Sequence, residues 1–159
     1  MNTVFFERLK ERDQKIEFLS ITLSLIGLAL YLLENEYSKY LLISGSLILI
    51  VLYALRFYTP NRLENIFSAM EIFIDKIVHG SLAISIAGIL ATLLEKDGMT
   101  LLITGIGSAT LSLLFMIYNK IKLESEYIWG KKYFLRIFCI IGLGLFILLS
   151  QKGLINYNL

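Results

Sequence analysis

Apolar residues in this chain are gathered into long runs rather than the scattered positions of a soluble core. Five runs qualify as membrane segments: Ile16–Leu33, Tyr40–Tyr58, Ile77–Leu94, Met99–Tyr118 and Tyr133–Leu149. Each has 17 to 20 residues. A helix of that length just crosses a hydrocarbon core of about 30 Å. No run has a charge near its centre, and a soluble bundle would need a polar face on every helix. The pattern therefore predicts an all-α, polytopic integral membrane protein with five transmembrane helices.

Two parts of the pattern are near copies. Ser20, Ser24, Gly27, Leu32, Leu33 and Glu34 recur as Ser81, Ser85, Gly88, Leu93, Leu94 and Glu95. One deletion later, Leu41-Leu42-Ile43-Ser44-Gly45 recurs as Leu101-Leu102-Ile103-Thr104-Gly105. The connections within the copies, Glu34–Lys39 and Glu95–Gly98, are short and require antiparallel helical hairpins. The expected organisation is an N-terminal segment (1–15), hairpin one (16–58), a cytoplasmic amphipathic helix (59–76), hairpin two (77–118), a second cytoplasmic connection (119–132), a fifth span (133–149) and an external tail (150–159). The fifth span echoes the first through Ile141-Gly142-Leu143-Gly144-Leu145 against Ile26-Gly27-Leu28-Ala29-Leu30.

Charge sets the expected orientation. Arg8, Lys10, Arg12, Lys15, Arg56, Arg62, Lys76, Lys120, Lys122, Lys131, Lys132 and Arg136 share one side; only Lys39, Lys96 and Lys152 of the 15 basic residues take the other. The positive-inside rule then puts the N-terminus inside and the C-terminus outside a bacterial cytoplasmic membrane. Both hairpins start inside, so the duplication is parallel, related by an axis along the membrane normal. Nine of the 13 acidic residues share the basic side, leaving a net inner charge too small to attract nucleic acid.

The connection after hairpin one opens with Pro60 and Asn61, a helix-start signal. Leu63, Ile66, Phe67, Met70, Phe73 and Ile74 then form one apolar face, opposite Arg62, Glu64, Asn65, Glu71 and Asp75. Such a helix lies along the inner interface, and Ile66, Phe67, Met70 and Phe73 are its candidate docking residues. Tyr58, Tyr118, Tyr127, Trp129 and Tyr133 fit an interfacial aromatic belt.

The mean hydropathy of +0.71 agrees with this class. Cys139 is the sole cysteine, so no internal disulfide forms, and His79 is the sole histidine. Neither a metal-ligand set, nor a phosphate loop, nor a catalytic carboxylate pair is legible. Gly105 and Gly107 lie within a span without the rest of a phosphate-binding motif and are candidate packing or interface residues instead. His79 begins span three and is expected to place its ring among lipid headgroups, with proton sensing as its functional alternative. Small residues form stripes: Ser20, Ser24 and Gly27; Ser81, Ser85, Gly88 and Thr92; Thr104, Gly107, Ser108 and Ser112. They are expected to pack helices closely, and lining a polar conduit is the alternative. Cys139, Gly142 and Gly144 give the fifth span a candidate contact face. The sequence reads as a small noncatalytic membrane protein, without cofactor or metal. Its expected partners are membrane lipid, further copies of itself or another protein at its cytoplasmic elements. An oligomeric channel or small-solute transporter and a lipid-modifying enzyme are the alternatives.

Overall fold

The computed structural model describes residues 3–33, 35–58, 69–94, 97–122 and 131–151. These residues are almost wholly helical, in five helices: α1 (Thr3–Leu32), α2 (Ser38–Tyr58), α3 (Ala69–Leu93), α4 (Met99–Lys122) and α5 (Lys131–Gln151). Four carry stretches long and apolar enough to cross a membrane: Arg12–Leu32, Ser38–Tyr58, Ile72–Leu93 and Met99–Tyr118. The apolar part of α5, Phe134–Ser150, is shorter.

The helices run further than their apolar stretches. No Gly or Pro interrupts the chain between Thr3 and Leu25, so the charged N-terminal segment and the first apolar run share α1. Likewise, Ala69–Lys76, the described part of the expected amphipathic helix, forms the first turns of α3 without a break.

The chain divides into two compact units, Met1–Leu52 and Tyr53–Leu159. The first holds α1 and α2 as far as Leu52; the end of α2, from Tyr53, belongs to the second. The turn between α1 and α2 is held by backbone bonds from the Leu33 and Asn35 N–H groups to the Leu30 carbonyl, both 3.1 Å, and from the Ser38 N–H to the Asn35 carbonyl, 3.0 Å. The Asn35 Oδ1 accepts from the Tyr37 N–H at 3.0 Å, an Asx turn that reverses the chain.

The second unit is built on α3 and α4, with α5 packed against both. Gly98 caps α4, its carbonyl accepting from the Leu102 N–H at 2.9 Å. Space also selects glycine there: a Cβ on Gly98 would stand 2.6 Å from both the Ala91 Cβ and the Thr92 N. Core side chains include Leu82, Leu102, Met116, Ile137 and Ile147.

Candidate functional site

The small residues converge on two close helix crossings, one in each hairpin. In the first, a Cβ on Gly27 would overlap the Leu42 backbone, reaching within 2.7 Å of its Cα. In the second, a Cβ on Gly88 would overlap the Leu102 backbone, within 2.5 Å of its Cα. Lipid tails are as apolar as leucine, so helices in a bilayer gain most where backbones meet closely, and only glycine permits this approach.

A second pair of contacts sits beside each crossing. A Cβ on Gly45 would lie 2.6 Å from the Ser24 Oγ, and one on Gly105 would lie 2.7 Å from the Ser85 Oγ. Both serine hydroxyls are buried without a hydrogen-bond partner. In each case the serine oxygen is one of the three atoms nearest the place of the missing Cβ. This is the weak Cα–H···O contact that recurs where helices approach closely. Ser20 and Ser81 complete the correspondence by donating to the carbonyls of Ile16 (2.8 Å) and Ile77 (2.7 Å) on their own helices.

Most other hydroxyls in the stripes are likewise bonded along their own helix. Thr104 donates to the Thr100 carbonyl (2.8 Å), half-buried Ser108 to Gly105 (3.0 Å) and Ser112 to Ser108 (2.8 Å). Ser81 and Ser112 also face one another across α3 and α4, Oγ to Oγ at 3.4 Å. The Thr92 Oγ1 is buried without a partner and faces the Gly98 turn.

The candidate residues of α4 and α5 divide. Gly105 and Gly144 are covered, the latter by Ile106, whose Cδ1 would stand 2.5 Å from an added Cβ. Gly107 and Gly142 are open, with nothing within 4 Å of an added Cβ, and Cys139 is exposed. Of the candidate docking residues, Met70 and Phe73 are exposed on the first turns of α3. Ile66 and Phe67 lie outside the described residues.

His79 departs from its expected place. Its ring is inside the fold, 3% exposed, rather than among headgroups. The Nδ1–H donates to the Asp75 carbonyl at 2.8 Å, with the Asp75 Oδ2 at 3.7 Å. A carbonyl only accepts, so Nδ1 carries the proton. The Tyr53 ring covers the imidazole at 5.9 Å and 45°, and the Arg56 guanidinium stands 5.8 Å from the Tyr53 ring centre. A histidine at a span boundary looks interfacial in sequence; the end of α2 packing over it could not be read there.

Sequence reasoning also passed over Gly45 as a site residue, although its counterpart Gly105 was singled out. The repeat itself carried the signal, since it places Gly45 opposite Gly105. It passed over Glu17 too, which is buried within the apolar stretch of α1. Among the described residues, no group of three His, Cys, Asp or Glu side chains is placed to hold a metal ion. No protein-family model, curated protein or solved structure matches the chain.

Proposed function

We propose that this is a noncatalytic membrane protein that acts by assembling within the bilayer, as a homo-oligomer or as the membrane subunit of a larger machine. The observation that carries the reading is the use of its small residues. Gly27, Gly45, Gly88 and Gly105 are occupied by opposing backbone or serine, and the Ser20 and Ser81 hydroxyls one turn away bond back to their own helices. Such stripes act as packing surfaces rather than walls of a conduit within either hairpin.

In this reading α5 is a fifth crossing, and the two hairpins are parallel copies related by rotation about the membrane normal. The N-terminus is inside and the C-terminus outside a bacterial cytoplasmic membrane. The exposed Met70 and Phe73 offer an apolar surface at the inner boundary to a cytoplasmic partner. Protein purified in mild detergent and reconstituted into liposomes tests the function. We expect a discrete oligomer and no flux of ions or small solutes above protein-free vesicles. Solute flux would turn the reading to the channel, and a monomer at all protein-to-lipid ratios would remove self-assembly.

A further inference from the structure

At Tyr53 helix α2 passes from the first compact unit into the second. Two side chains of its last turns lie over α3. The Tyr53 ring, itself buried, covers the His79 imidazole. The Phe57 ring lies against Gly80, where an added Cβ would stand 3.0 Å from the Phe57 Cδ2. Tyr53 and Phe57 are one turn apart and share a side of α2. The end of α2 is therefore fastened to α3 at the sole histidine of the chain.

The Nδ1–H bond to the Asp75 carbonyl is complete in the neutral ring, so the proton that histidine gains on acidification goes to Nε2. That proton changes three things. It puts a charge at a buried position, and burying a charge costs far more than burying a polar group. It sets the imidazolium and the Arg56 guanidinium against one tyrosine ring. It also makes the Asp75 carboxylate a stronger acceptor than the Asp75 carbonyl. The carboxylate Oδ2 is already 3.7 Å from Nδ1, and the Asp75 side chain is 16% exposed against 4% for His79. Helical side chains lean toward the N-terminus of their helix, so Asp75, one turn before His79, lies on the side the imidazole favours. Lys76, beside Asp75, is half-buried. On α4 no side chain from Met99 to Ile117 ionises, and Tyr118 is exposed. On α5 the described ionisable side chains are Arg136, half-buried, and Cys139, exposed.

We propose that His79 is a proton-operated latch. Neutral, it holds the last turns of α2 on α3 beneath Tyr53. Protonated, it turns to the Asp75 carboxylate and lets Tyr53 and Arg56 go. The two arrangements differ by one proton and by which oxygen of Asp75 accepts from Nδ1. Both end states satisfy Nδ1, so neither strands a buried donor. Protonation of a buried histidine at a packed contact is a recognised way to bias such an element. The latch acts on the stretch of α2 that links the two units, and it does not depend on the self-assembly reading.

A single histidine makes the test direct. The full chain, with isotope-labelled histidine, is reconstituted into liposomes. Nuclear magnetic resonance then follows the imidazole from about pH 8 to about pH 5, a range that spans ordinary histidine titration. In parallel, spin labels at Leu55→Cys and Phe73→Cys, both exposed positions, report the distance between α2 and α3 in a Cys139→Ser background. We expect a single short distance at the alkaline end. A longer component should grow at least about fivefold at the acid end, the low limit of ordinary coupling between sites. Its midpoint should match that of the imidazole. His79→Gln cannot take the proton and should keep the short distance throughout. An imidazole that stays neutral across the range would overturn the latch. So would one that protonates while the distance holds, since the charged ring would then remain beneath Tyr53. Opening that persists in His79→Gln would assign the response to another acid, Asp75 or the buried Glu17, and would overturn it equally.

Discussion

The α1–α2 and α3–α4 hairpins close on corresponding residues, yet they are buried to different extents. Within the apolar stretches, 17% of α1 is buried against 61% of α3. The pairwise contacts are nonetheless alike: Gly27 on Leu42 and Gly88 on Leu102, Ser24 at Gly45 and Ser85 at Gly105. The difference comes from what is not repeated. In its unit α3 packs against α5 as well as α4, and its early turns carry His79 beneath Tyr53. Repeated small residues decide how two helices meet; burial depends on how many further helices arrive.

The largest expected effect follows from that asymmetry. Gly88→Leu would drive a side chain into the Leu102 backbone at the centre of the second unit, where neither helix can move aside without disturbing α5. We expect a loss of at least about 3 kcal/mol, at the upper end of overpacking costs, and little folded protein. Reversible unfolding in mixed micelles would measure it, and a stability within about 1 kcal/mol of the parent would break the argument. Gly27→Leu makes the same overlap in the less buried hairpin. It should open α1 from α2 while the α3–α4–α5 unit keeps its protease resistance. Equal loss in both units would show that the hairpins do not stand separately.

The smallest effect should be at the serines. The Ser24 and Ser85 hydroxyls have no hydrogen-bond partner, so Ser24→Ala and Ser85→Ala leave no donor or acceptor stranded. Each substitution removes only the weak Cα–H···O interaction with the facing glycine, worth about 0.5–1 kcal/mol. We expect changes of that size or less, of the same sign in both positions. Opposite signs would show that the two sites, alike in geometry, differ in energetics.

Much of the helical content was legible in the chain, because apolar runs of membrane length have few alternatives. Gly27 and Gly88 were legible as contact residues because each recurs within a spaced set of serines. Orientation around each helix was not. In a soluble helix the polar face reveals the outside, but α4 and α5 are apolar all round, so that cue is missing. Gly105 and Gly107 are two residues apart and point in nearly opposite directions, as do Gly142 and Gly144. Composition marks all four as small, whereas only packing distinguishes the covered from the open. His79 was misplaced for a related reason: its neighbours in sequence suggest an interface, and the ring that covers it comes from another helix.

The central claim is that the two hairpins cross the membrane in the same direction, as parallel copies. It is tested most directly at their turns. Single cysteines at Glu36 and Asp97, both exposed positions, can be introduced in a Cys139→Ser background and treated on intact cells with a membrane-impermeant maleimide. The account predicts that both label from outside, at similar rates, while cysteines at Asn2 and Ser125 label only after the membrane is opened. Labelling of one turn but not the other would make the hairpins inverted and contradict the parallel repeat.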